Sequence, residues 1–293
     1  MQILDGKACA SAYKTEIAQV VSAAVARGTR KPHLAAILVG NDGASETYIA
    51  SKVKTCAELG YDSTLLRFAA KVSQEELINA IQNFNEDATV DGILVQLPLP
   101  DHINSHDVTL AIKSEKDVDG FHPESLGRMM LGLPGFIPAT PKGIIMLLQH
   151  YGIRTSGMHA VVIGRSHIVG SPMSVLLGRN TEPGNCTVSL CHSKTRNLEH
   201  FTRTADIVVA ALGKPEFLKG NMVKDGAIVI DVGITRIVDA HHPKGYRIVG
   251  DADFNSVAPK CSWITPVPGG VGAMTIAALM QNTLEAWKRN IGH

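Results

Sequence analysis

Apolar and polar positions alternate between two rhythms along this chain. The unbroken apolar runs LAAILVG (34–40), STLLRFA (63–69) and GILVQLP (92–98) predict strands. Between them, residues 43–60 and 73–86 repeat apolar positions three and four apart and predict helices, the second opening on the capping box Ser73-Gln74-Glu75-Glu76. Around 120–140 the pattern dissolves into GFHPESLGRMMLGLPGFIPATPKG, dense in Gly and Pro, which predicts a domain junction. A helix is expected from Thr140-Pro141, with threonine as cap and proline in the first turn. Beyond it, HAVVIG (159–164), CTVSLC (186–191), DIVVAAL (206–212) and AIVIDVG (227–233) predict four buried strands, and a last helix begins near Ala273. Strands separated by helices imply parallel sheets covered on both faces. The N-terminus reads as a short strand and then a helix, without a signal-peptide or transit pattern.

One helix breaks its own rule. In SETYIASKVKTC (45–56), Ser45, Tyr48, Ile49, Lys52, Cys56 and Leu59 share one stripe at 100° per residue, whereas Lys54 and Glu58 lie opposite. Lys52 thus sits in the middle of the face expected to be buried. Long lysines can bury their stems and keep the head in water; otherwise a dry ammonium calls for a chemical reason.

Composition narrows the partners. The chain has 293 residues, 45% of them hydrophobic, enough for two α/β domains. A formal net charge of +1 gives no electrostatic ground for nucleic acid or a membrane surface, and no apolar run approaches the ~20 residues that span a bilayer. Five cysteines without a Cys-x-x-Cys pair fit a reducing compartment, so a cytoplasmic protein is expected.

VVIGRSHIVGSP (161–172) is a strand, a glycine turn and a helix start, an arrangement that can seat a pyrophosphate on backbone N–H groups. Only Gly164 and Gly170 stand for the usual three glycines, so a plain α/β turn is the competing reading. Arg165 follows the first glycine, and CHSKT (191–195) follows the next strand with no Asp or Glu to accept a ribose 2′-hydroxyl. Arg165, Ser193 and Lys194 could meet a 2′-phosphate, which favours NADP over NAD; the alternative is that they are solvated loop charges.

Tyr48-x-x-x-Lys52 is also the spacing of the short-chain dehydrogenase pair, but in those enzymes the glycine-rich turn precedes the pair, and here it follows by more than about a hundred residues. A more extensive resemblance is carried by YIASK, VQLPLP, KDVDGF, PATPKG, VVIGRSHIVGSP, CHSKT and TPVPGGVGAMT, in that order, from about residue 4 to 288. In these motifs the chain resembles the bifunctional methylenetetrahydrofolate dehydrogenase/methenyltetrahydrofolate cyclohydrolase family. The resemblance implies two α/β lobes with a cleft between them, the second Rossmann-like, in a homodimer. A folate-binding catalytic domain is expected over 1–139, joined by the C-terminal helix at about 273–293, and an NADP-binding domain over 140–272.

Residue by residue, the resemblance gives Lys52 as the catalytic lysine, Gln96 as the glutamine bonded to it, and Tyr48 against the folate. Asp119 would anchor the pterin, and Pro268, Gly269 and Gly270 would line the folate site. Cofactor contacts are implied at Thr140, Gly164, Arg165, Ser166, Ser193 and Ile234. The implied reactions are oxidation of 5,10-methylenetetrahydrofolate with NADP and hydrolysis of the product to 10-formyltetrahydrofolate. Two positions depart from the pattern: Ala139 where cysteine is common, and Ala273 where proline is usual at a helix start. The latter should lose about 0.4–1 kcal/mol of preorganisation.

Without these motifs, Asp119 could cap a turn and Gln96 satisfy a loop carbonyl. A non-catalytic dinucleotide-binding regulator on the same scaffold is the reading from a different class; it would be expected to lack the lysine, glutamine or aspartate. His102 and His106 stand four apart beside Asp101 and Asp107, a spacing compatible with a metal on a helix, but no second motif supports it and no metal is expected.

Overall fold

The structure, a computed structural model, describes residues 1–240 and 245–292. Residues 241–244, within the expected second domain, and His293, at the end of the expected last helix, lie outside it. In chain order come β1 (Gln2–Ile3), α1 (Gly6–Val25), β2 (His33–Val39), α2 (Gly43–Glu58), β3 (Asp62–Phe68), α3 (Gln74–Glu86), β4 (Gly92–Val95), α4 (Ser105–Ala111), α5 (Pro123–Leu131) and α6 (Ala139–His150). There follow β5 (His159–Ile163), α7 (Gly170–Gly178), β6 (Thr187–Cys191), α8 (Leu198–Thr202), β7 (Ile207–Ala210), β8 (Ala227–Asp231), β9 (Thr235–Val238), β10 (Tyr246–Val249), α9 (Phe254–Val257), β11 (Cys261–Ile264) and α10 (Val271–Asn290).

These elements form two units. One comprises residues 12–139 and 276–293, the other 1–11 and 140–275, so the chain changes unit inside α1, near the start of α6 and inside α10. The first holds a parallel sheet in the order β3-β2-β4. Its core gathers Ala35, Ile37, Leu77, Ile81, Ile93 and Val108. The end of α10 completes this unit: Trp287 is buried and donates its indole N–H to the Arg30 carbonyl at 3.0 Å. The second holds a parallel sheet in the order β1-β11-β8-β7-β5-β6, around Val161, Ile163, Val208, Val229 and Ile264, and the antiparallel β9–β10 pair.

The predicted strands and helices form with small shifts of boundary, and three expectations change. β6 is not buried; it is the edge of its sheet, and its Leu190 is exposed. The N-terminal strand pairs with β11, so residues 1–11 group with the dinucleotide-type sheet and not with 12–139. The Gly/Pro-rich segment contains α5, which starts on Pro123 after the cap His122 and stops at left-handed Gly132.

Both departures from the family pattern carry a backbone bond. Helix α6 begins at Ala139, one residue before the expected cap; the Ala139 N–H donates to the Asp119 carbonyl at 3.2 Å, and the Thr140 hydroxyl pairs with that of Thr275 at 3.0 Å. Helix α10 begins at Val271, and the Ala273 N–H donates to the Gly270 carbonyl at 3.2 Å, a bond that proline could not make.

Candidate active site

Helix α2 delivers Lys52. Asp42 caps the helix by accepting from the Ser45 N–H at 2.8 Å, and Ser45, Ile49, Lys52, Thr55 and Cys56 form its buried face, with Tyr48 half-buried beside them. Lys52 is 7% exposed, so the side chain stays inside and does not reach out to bulk water. Its Nζ donates to Gln96 Oε1 at 3.0 Å. Gln96 lies just past β4, where its own N–H still donates to the Ile37 carbonyl of β2. Its Nε2 donates to the Leu97 carbonyl at 2.7 Å, which turns the amide oxygen to the lysine. Desolvation pushes the Lys52 pKa below the ordinary ammonium value, and the charge of Asp119 opposes that shift.

Asp119 is held by its backbone. The Val118 carbonyl accepts from Asn282 Nδ2 at 2.8 Å, and the same amide donates to the Ile137 carbonyl at 3.0 Å. Gly120 has φ +74°, and a Cβ there would come within 2.6–2.9 Å of the Ile137–Pro138 backbone. Two residues upstream, buried Asp117 accepts from Phe121 N–H (3.2 Å), His122 N–H (2.8 Å) and Ser125 Oγ (2.9 Å), so it pins the turn that carries Asp119. Burial raises the Asp117 carboxyl to about 7 despite these donors. Asp119 is raised by the same cause, with Lys52 pulling it down. Its carboxylate has no hydrogen-bond partner among the described residues, and with Asp117 it lines a small pocket beside Ile93, Val95, Leu97 and Phe121.

Asp117 and Asn282 escaped the sequence reading. Asp117 stands in KDVDGF, where a second acid two positions before Asp119 was the available signal; Asn282, far along the chain, gave none. A larger groove of about 940 Å³, lined by Gln82, Asn85, Lys113 and Glu124 among others, holds neither Lys52 nor Asp119.

In the other unit, β5 is followed by Gly164, whose φ of +123° and closeness to the residue after β7 demand glycine: a Cβ would lie 2.1 Å from the Ala211 carbonyl oxygen. Gly170 opens α7 equally tightly, 2.0 Å from the Gly164 oxygen by the same measure. Between them Ser166 Oγ accepts from Val169 N–H (3.2 Å) and Gly170 N–H (3.4 Å), which leaves its own O–H available to donate. Arg165, Ser166, Ser193 and Lys194 are exposed, and Ile234 is 44% exposed. No carboxylate stands in the segment 191–195 after β6. A turn whose two glycines admit no Cβ, with an exposed guanidinium and hydroxyl at 165–166 and an exposed hydroxyl and ammonium at 193–194, fits a phosphate-bearing dinucleotide.

Pro268, Gly269 and Gly270 belong to this same unit, not to that of Lys52. The Gly269 carbonyl accepts from the Lys7 N–H at 3.1 Å, and a Cβ on Gly6 would lie 2.0 Å from the Gly270 oxygen, so this loop is packed on the start of α1. Pro268 is exposed and Gly270 buried. His102 lies before α4 and its Nε2 contacts the Val72 carbonyl at 2.8 Å, away from a shared helix face with His106.

A parallel sheet whose βα turn admits no side chain at Gly164 or Gly170, together with a second α/β unit carrying a buried lysine, defines a dinucleotide-dependent enzyme class. The chain belongs to the tetrahydrofolate dehydrogenase/cyclohydrolase family: its catalytic domain matches residues 4–119 and its NAD(P)-binding domain residues 138–291. The bifunctional protein FolD of Porphyromonas gingivalis is 55% identical over 287 residues, covering 98% of this chain and 97% of that one. That of Flavobacterium johnsoniae is 57% identical over 288 residues, covering 98% of each. Among solved structures, the bifunctional methylenetetrahydrofolate dehydrogenase/cyclohydrolase of Campylobacter jejuni superposes with a TM-score of 0.92 at 46% identity, covering 99% of each chain. The Trypanosoma brucei enzyme, complexed with NADP and an inhibitor, gives 0.93 at 36% identity, covering 99% of this chain and 98% of that one.

Proposed function

We propose that this chain oxidises 5,10-methylenetetrahydrofolate to 5,10-methenyltetrahydrofolate with NADP and hydrolyses that product to 10-formyltetrahydrofolate. The observation that carries the reading is Lys52, buried, hydrogen-bonded to Gln96 and under the field of Asp119. A regulator without catalysis has no need of a desolvated lysine, and the glycine turn follows Lys52 in the chain, against the order of short-chain dehydrogenases.

The folate sits on the unit of residues 12–139 and 276 onward, the cofactor on that of 140–275. Asp119 accepts two parallel hydrogen bonds from the aminopyrimidine edge of the pterin, and Tyr48 lies against the ring system. Pro268, Gly269 and Gly270 are assigned as folate-binding residues. Bound NADP supplies the acceptor for the hydride that leaves the methylene carbon. Gly164 and Ser166 hold its phosphates, Arg165 and Ser193 its 2′-phosphate, and Thr140 and Ile234 flank it. In the second reaction water adds to the methenyl carbon and gives up a proton to the Lys52 amine. The hydroxyl of the adduct then loses its proton as the ring C–N bond breaks and the departing nitrogen is protonated, which leaves the formyl group and one net proton for solvent. Gln96 keeps the amine on line. A depressed pKa provides the neutral amine this requires. The protein acts as a homodimer, as the motif resemblance implies, and in the cytoplasm, a reading supported by its five free cysteines.

Absorbance of the reduced cofactor tests the first reaction: the purified chain should reduce NADP only when methylenetetrahydrofolate is present, and no reduction would overturn the assignment. Arg165→Ala should raise the KM for NADP by roughly tenfold to a hundredfold, the worth of a charged hydrogen bond of about 1.5–3 kcal/mol, with a much smaller effect on NAD. Equal effects on both cofactors would return Arg165 to a solvated loop charge.

A further inference from the structure

Two buried aspartates of the dinucleotide-type unit take no part in the chemistry above. Asp231 ends β8 and is 4% exposed; Asp251 follows β10 and is fully buried. Their oxygens are given to backbone. Asp231 Oδ1 accepts from Gly233 N–H (3.0 Å) and Asp251 N–H (2.8 Å), and its Oδ2 accepts from Ala252 N–H (2.9 Å). Asp251 Oδ2 accepts from Leu212 N–H (2.6 Å) and Gly213 N–H (2.9 Å). Its Oδ1 is the buried side-chain polar atom that has no partner among the described residues.

The glycines beside them are reciprocal. A Cβ on Gly250 would lie 1.9 Å from Asp231 Oδ2, and one on Gly233 would lie 2.4 Å from Asp251 Oδ1. Each segment therefore carries a carboxylate and the missing side chain that admits the other's. The pair joins three stretches: 212–213 after β7, 231–233 at the end of β8, and 250–252 after β10. The first two leave the C-terminal ends of neighbouring parallel strands, where sheets of this type build their dinucleotide sites. Ile234 comes next in the chain. Asp251 Oδ1 gains no hydrogen bond by its burial, so what the residue does there is hold 212–213 through Oδ2.

We infer that Asp231 and Asp251 are positioning residues for NADP: without touching the cofactor, they fix the backbone of 212–213 and 233–234 that borders it. This rests on the NADP reading above. Asp251→Asn keeps the shape and one acceptor oxygen but removes the charge and sets an NH2 group against Gly233. Two readouts separate positioning from general stability: the KM for NADP in the dehydrogenase reaction, and hydrolysis of methenyltetrahydrofolate with no dinucleotide present. The KM should rise roughly tenfold or more, by the loss of charged hydrogen bonds, while hydrolysis stays within about twofold of wild type. Asp231→Asn should show the same split and serves if Asp251→Asn does not fold. Unchanged NADP KM, a parallel loss of both activities, or failure of both variants to fold overturns the inference. Wild-type protein that does not reduce NADP at all overturns instead the function on which it rests.

Discussion

Lys52→Met should cut methenyltetrahydrofolate hydrolysis by at least ~10²–10⁴-fold, the usual worth of one general acid–base group. Methionine keeps the length and apolar stem, so the buried face of α2 with Ile49 and Cys56 should pack as before. Water addition and ring opening lose their proton acceptor and donor, whereas hydride transfer needs neither and should persist in part. The two activities should therefore come apart when measured on the same preparation. In wild-type protein, hydrolysis should rise with pH through a value below the ordinary lysine range, because the neutral amine is the active form and burial favours it. Parallel loss of both activities with folate binding intact would make Lys52 an orienting group, and undiminished hydrolysis would remove it from the mechanism.

Asp119→Ala should weaken folate binding by about a hundredfold or more, since two charged hydrogen bonds of about 1.5–3 kcal/mol are lost together. NADP affinity should stay near wild type, because the two ligands are assigned to separate units. Separate titrations of each ligand check this. The backbone bonds around position 119 belong to Asp117, Asn282 and Ala139, so the turn survives the substitution. Unchanged folate affinity would leave Asp119 as a turn residue.

What could be read from the sequence was what depends on neighbours three, four or two positions away. The buried lysine of α2 was visible because Ser45, Ile49 and Cys56 mark its stripe, and the parallel strands because each is a continuous apolar run. Readings failed where distant pairing decides. The run 186–191 has the composition of a central strand, yet the strand order puts β6 at an edge. β1 has only two residues, and its partner Trp263–Ile264 lies near the other end of the chain. Pro123 and Gly132 lie in the segment read as a junction; the change of unit falls at its end, between 139 and 140, while these two residues start and stop α5. At the site, Lys52 declared itself by contradiction with its helix. Asp117 did not, because an acid beside a turn is ordinary until its burial is known.

The route of the chain bears on how the enzyme is made. Synthesis delivers Lys52, Gln96 and Asp119 early, but Asn282, which holds the carbonyls of Val118 and Ile137, comes only after the whole stretch 140–275. Trp287, which seals Arg30, comes later still. Strands β5 to β11 of the stretch 140–275 are thus all synthesised before the end of α10 that the half bearing the lysine needs. The nascent catalytic half therefore waits, unfinished, for the end of α10, and a chain cut short after residue 275 would keep every strand of the six-stranded sheet while the half bearing Lys52 lacks both Asn282 and Trp287.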